Sequence, residues 1–146
     1  NTISDPHGIE GEAGMTTGLG FLDVDTVLEP EKQLHRVAGS LIDSGARVSG
    51  YEIHCGVTQG LARERPALDL GSHSDGARSE DDKIIGTYVH GIFDHPEALE
   101  YLLGWAGLQH VEPLDYHARQ EKDLDRLADE VERHFDADFL SSLRRT

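Results

Sequence analysis

Three places in this sequence hold residues whose types and spacing could do chemistry. The first is Gly86-Thr87-Tyr88-Val89-His90-Gly91-Ile92-Phe93-Asp94, where an apolar, β-branched run ends in a histidine followed at once by glycine. Ligands of open α/β sheets bind at the carboxyl ends of strands. A histidine there, with glycine leaving room beside it, is placed to act as a general base. A strand-end histidine bonded only to backbone would show the same pattern. The second place is Gly50-Tyr51-Glu52-Ile53-His54-Cys55-Gly56. On a strand, Glu52 and His54 share one face and Tyr51, Ile53 and Cys55 the other. The polar pair could line a pocket or orient a catalytic group, or be the wet side of an edge strand.

The third is Cys55, the one cysteine. A nucleophilic cysteine needs a lowered pKa and an exposed position, commonly at a sharp strand-to-helix turn. Gly56-Val57-Thr58-Gln59 does not begin a helix, so Cys55 reads as an inert strand thiol. If Tyr51 and Ile53 face the core, Cys55 points away from Glu52 and His54. No metal site is expected, because no Cys-x-x-Cys or His-x-x-x-His pairing accompanies the nine histidines. No phosphate-binding or dinucleotide fingerprint is present.

The elements that must position these residues follow from pattern. Residues 1–20 hold Pro6 and five glycines, and read as a glycine-rich loop with at most one helical turn. A sheet region is expected over 21–94. Within it, Phe21 to Leu28 suits a strand, and Lys32 to Ile42 a second, although its spacing also allows a helix. Asp43-Ser44-Gly45 then turns the chain into a return strand over Arg47 to His54. Residues 59–82 read as a surface loop or short hairpin. Lys83 to Val89 is the best strand, suited to burial on both faces.

Helices are expected over 95–146. Pro96 fits a first helical position, with Asp94 or His95 as the cap and Gly107 as the stop. A long amphipathic helix follows from about Tyr116 to His134. Its narrow apolar stripe suits docking on a surface, and Phe139, Leu140 and Leu143 suggest a final docking turn. The fold class is α/β, with one domain or part of one.

Composition narrows the function. The 146 residues carry a net charge of −15, with 28 acidic residues against 13 basic ones. Such a field repels phosphate backbones and anionic bilayers, so neither nucleic acid nor membrane is an expected partner. No apolar run reaches the ~18 to 20 residues that span a bilayer. The single cysteine fits a reducing compartment, so a cytoplasmic protein is expected. The chain opens on Asn1 and a long glycine-rich stretch, which predicts a piece of a longer chain.

Several of these motifs in order resemble one family. Gly50-Tyr51-Glu52-Ile53-His54-x-Gly56, Asp75-Gly76 and Gly86-Thr87-Tyr88-Val89-His90-Gly91-Ile92-Phe93-Asp94 are similar to the C-terminal region of the cobyric acid synthase family. Asp5-Pro6-x-Gly8-x-Glu10-Gly11 and Gly18-Leu19-Gly20-Phe21-Leu22-Asp23-Val24 are similar to the stretch after that family's cysteine nucleophile. The likeness runs from about Ile3 to Leu108.

The resemblance implies part of the layered sheet of a class I glutamine amidotransferase with flanking helices, the N-terminal half of the domain missing. An incomplete sheet exposes an edge, which could pair with another copy. The implied activity is release of ammonia from glutamine through a cysteine thioester. An N-terminal domain that uses ATP and Mg would then amidate four carboxylates of adenosylcobyrinic acid a,c-diamide in cobalamin biosynthesis. No cofactor is expected on the present residues. His90 matches the catalytic histidine, while Glu52 and His54 would line the site. No His-x-Glu follows, which leaves the third member unassigned. The Cys-Gly-Gly type elbow is absent, so the chain alone is expected to be inactive. The alternatives are a sister enzyme, such as cobyrinic acid diamide synthase or a cell-wall amidotransferase, and a binding module that kept the fold but lost the site.

Overall fold

Gly45, with φ of +69°, closes the turn that the Asp43-Ser44-Gly45 sequence predicts. The Leu41 amide bonds the Ala46 carbonyl across it at 2.8 Å. From this turn rises a long antiparallel hairpin, the centre of the structure. The structure, a computed structural model, describes residues 1–110, 114–135 and 139. In chain order the strands are β1 Thr2–Asp5, β2 Gly14–Thr17, β3 Asp25–Leu41 and β4 Arg47–Gln59, then β5 Leu68–Asp69 and β6 Ser74–Asp75. β7 Ala77–Arg78, β8 Ile85–Gly86 and β9 Val89–His90 follow, each two residues long. The helices are α1 Pro96–Trp105 and α2 Tyr116–His134.

The main sheet runs β2-β1-β3-β4-β9, with β5 and β6 added beyond β3. β1 is parallel to β3 and the other pairs are antiparallel, so the sheet is mixed and the fold is α/β. β7 and β8 form a separate two-stranded sheet. The strands expected over 21–28 and 32–42 are one strand. Pro30 cannot donate to a ladder, and an irregularity absorbs it: Leu28 faces Gly56, whereas Gln33 faces His54.

Residues 1–20 also depart from the expected loop, since they supply β1 and β2. The Asp5 carboxylate closes the connection between them by accepting from the amides of Ile9 at 2.8 Å and Glu10 at 2.9 Å. Those two amides hold its carboxyl below the usual range. Four-residue strands such as these owe their existence to their neighbours, β1 to β3 and β2 to β1, not to any alternation of their own.

One face of the sheet is covered and the other open. Val48, Glu52 and Gly56 of β4 are buried on the covered side, while Tyr51, Val57 and Gln59 of the other side are exposed. α1 lies over the covered face, where Ala98 and Leu102 join Leu41, Val48, Leu68, Leu70 and Val89 in the core. Leu68 is fully buried, worth about 2 to 3 kcal/mol by its removal from water. The helix begins as its sequence suggests: Pro96 stands at the first turn and His95 Nδ1 accepts from the Glu97 amide at 3.3 Å. It ends at Gly107, where φ is +96°.

The chain divides into two compact units, Asn1–Leu114 and Asp115–Thr146. The second unit contains α2, capped by the Asp115 carboxylate on the Ala118 amide at 2.9 Å. Its bounds are those the sequence predicts. Of the suggested final turn, Leu140 and Leu143 lie outside the described residues. No helix among the described residues is long and apolar enough to cross a membrane.

Candidate active site

β9 is two residues long, and side chains rather than a long ladder hold it in place. Asp75, 2% exposed, accepts through Oδ2 from the Thr87 hydroxyl at 2.5 Å and the Tyr88 amide at 3.1 Å. Thr87 Oγ1 accepts in turn from the Val89 amide at 3.0 Å. Side-chain bonds of this kind divert backbone donors from a ladder. That is why the strand expected over 83–89 splits into β8 and β9, in different sheets, with a bend at Tyr88.

The bend decides which face each residue reaches. In an unbroken strand Tyr88 and His90 would share a face. Here the Tyr88 ring lies flat on His54, centroids 4.0 Å apart and planes 16° apart. Its hydroxyl meets Thr58 Oγ1 at 2.5 Å, and Thr58 meets the Thr26 hydroxyl at 2.7 Å. His90 instead stands opposite Tyr51 in the β4 ladder, and directly opposed residues project to one side. His90 is therefore on the open face. Its ring is exposed and has no hydrogen-bond or ion-pair partner among the described residues.

Two glycines fix this strand end. A Cβ on Gly50 would collide with the His90 carbonyl oxygen, so only glycine lets β9 lie so close to β4. Gly91, with φ of +85°, turns the chain sharply, and the Asp94 amide bonds back to its carbonyl at 2.9 Å.

Glu52 and His54 do share a face of β4, beside β9, but it is the covered face and not that of His90. Glu52 is 8% exposed and Tyr51 51%. This corrects the reading in which Tyr51 and Ile53 turn to the core. The carboxylate tolerates burial because two imidazoles reach it: His54 Nε2 at 3.1 Å and His73 Nε2 at 3.2 Å. His54 Nδ1 lies 2.7 Å from the Gly56 carbonyl, which can only accept, so that nitrogen carries a proton. A neutral His73 satisfies both of its contacts, donating to Glu52 and accepting from the Ser72 hydroxyl at 3.0 Å. This cluster supports the sheet behind Tyr88 and lies on the face opposite His90.

Cys55 is half-buried on the open face, four residues along β4 from Tyr51. At about 3.3 Å per residue its position is roughly 13 Å from that of His90. The two do not form a nucleophile and base pair. Among the described residues, no group of three His, Cys, Asp or Glu side chains is arranged to hold a metal ion. The sequence motif Asp75-Gly76 was legible, but not the role of Asp75 as the latch of β9. His73, in a polar loop, offered no signal of its tie to Glu52.

Residues 1–98 match the CobB/CobQ-like glutamine amidotransferase domain. The chain belongs to that family. The matched span of this CobB/CobQ-like amidotransferase holds the whole main sheet, the Asp75 latch and His90, while α2 lies beyond it.

Proposed function

We propose that this CobB/CobQ-like amidotransferase is the histidine-bearing part of a cobyric acid synthase, with His90 as general base and acid. The observation that carries the reading is the His90 ring itself, exposed and unpartnered on the open face at the end of β9. In this reading a cysteine thiol from outside these residues gives its proton to His90, and the thiolate attacks the glutamine carboxamide carbon. His90 returns the proton to the departing ammonia, and water then cleaves the thioester. No carboxylate among the described residues pairs with His90, so the third member of the constellation stays unassigned. ATP and Mg would act on a separate domain, with adenosylcobyrinic acid a,c-diamide as acceptor. The long match of Gly86 to Asp94 to the cobyric acid synthase pattern supports that acceptor over those of sister enzymes.

In the complete enzyme, His90→Ala should lower glutamine hydrolysis by about 10²- to 10⁴-fold, the usual contribution of a positioned base. Ammonia release at the wild-type rate would sink the assignment. Mass analysis of the amidated product decides the acceptor: four added amides support cobyric acid synthase, and amidation of cobyrinic acid or of a cell-wall precursor instead points to a sister enzyme.

A further inference from the structure

On the covered side of the sheet, away from His90, lies a cleft of about 200 Å³. Leu22, Val24, Thr58, Arg63, Asp75 and Tyr88 are among the residues that line it. Arg63 comes from the short helical turn Leu61–Glu64, which follows β4 directly. The residue is half-buried, and its one side-chain bond is from Nη1 to the Thr58 carbonyl at 3.3 Å.

This is unusual within the chain. The other half-buried cationic side chains each reach a carboxylate: Arg65 pairs with Asp82, and Arg78 with Asp43 and Asp82. Acidic residues outnumber basic ones 28 to 13, yet no described carboxylate approaches Arg63 within ion-pair distance. A partly shielded guanidinium with no carboxylate partner is open to an anion. Asp75, on the same cleft, uses Oδ2 for Thr87 and Tyr88, and no described donor takes Oδ1.

One wall therefore offers a positive group, another a negative one, and Leu22 and Val24 offer apolar surface. A plain anion would be repelled by Asp75, and a plain cation by Arg63. A zwitterion with a small apolar body meets all three walls. We propose that this cleft binds an α-amino acid, its carboxylate on Arg63, its ammonium toward Asp75 and its side chain against Leu22 and Val24. The ladder register puts His90 on the opposite face of β4 from this cleft.

The test is an amide chemical-shift titration of the 146-residue chain with three probes: L-leucine, 4-methylpentanoate, which lacks the ammonium, and 3-methylbutylamine, which lacks the carboxylate. Leucine should shift the Thr58, Gly76 and Gly86 amides saturably, and each half-molecule should bind about tenfold or more weakly, having lost one charge-assisted pair. Arg63→Met should weaken leucine to the level of 3-methylbutylamine. Leucine binding no tighter than the amine overturns the proposal, as does an absence of saturable shifts at these amides. The three-probe comparison needs only the wild-type chain, so the proposal stays open to refutation even if Arg63→Met folds poorly.

Discussion

Gly50 shows how one carbon atom can set the place of the side chain proposed as the base. Its missing Cβ is what allows the His90 backbone to lie against β4. Gly50→Ala should push β9 away, cost about 1 to 3 kcal/mol as overpacking, and depress glutamine hydrolysis with it. Thermal unfolding and a glutaminase assay of the complete enzyme check both effects, and an unchanged melting point would contradict the geometry. Asp75 acts one layer behind. It is the buried acceptor for two donors of the Thr87–Tyr88 bend. Asp75→Ala leaves both unpaired, a loss of about 1.5 to 3 kcal/mol for bonds to a charged group. Equilibrium unfolding measures that loss directly, and one below about 0.5 kcal/mol would place the latch elsewhere.

At the scale of elements, α1 must sit correctly for the turn after His90 to be fixed, and an ion pair joins it to β4. Glu97 accepts from the Arg47 amide at 3.0 Å, its Nε at 2.9 Å and its Nη2 at 2.5 Å. The Arg47 side-chain bonds, with its amide next, hold the Glu97 carboxyl down at about 2, against an ordinary value of 4.5. A carboxyl whose folded pKa is lowered adds stability above its unfolded value and loses it as the pH falls through the folded one. The contribution is therefore complete above about pH 4.5 and gone near pH 2. Glu97→Gln should unfold at a lower temperature than wild type at pH 6, with the gap closing as acid is added. A gap that is constant from pH 6 to pH 2 would show that the Arg47 pair is not its source. Both groups are exposed, so salt should narrow the gap as well.

At the scale of the whole molecule, the sheet has one face clothed by α1 and the core and one face bare, and His90 lies on the bare one. The only sulfhydryl of the chain stands far along β4 from it. The 146-residue chain by itself should release no ammonia from glutamine, because a thioester route needs the thiol within about 3 Å of its base. Ammonia measured over hours, with a glutamine-site affinity label as a second probe, tests this. A stoichiometric adduct on Cys55, or activity lost in Cys55→Ser, would reverse the conclusion.

The sequence by itself determined what local chemistry can determine. The Asp43-Ser44-Gly45 turn and its hairpin, the Pro96 start and Gly107 stop of α1, and the bounds of α2 are written in short-range signals, and the structure has them in those places. The alternation that separates Glu52 and His54 from Tyr51, Ile53 and Cys55 is equally local. Tertiary structure decided the rest. β1 exists because β3 runs beside it, and β2 because β1 does. The apolar run over 83–89 gave way because a carboxylate twelve residues upstream of Thr87 captured its donors. Which side of β4 is buried was set by α1 and the core packed on it, with His73 arriving from a loop to complete the partners of Glu52. A period of two in sequence says that two faces differ; only the groups brought to each face by the rest of the chain say which is covered, and so on which side His90 stands.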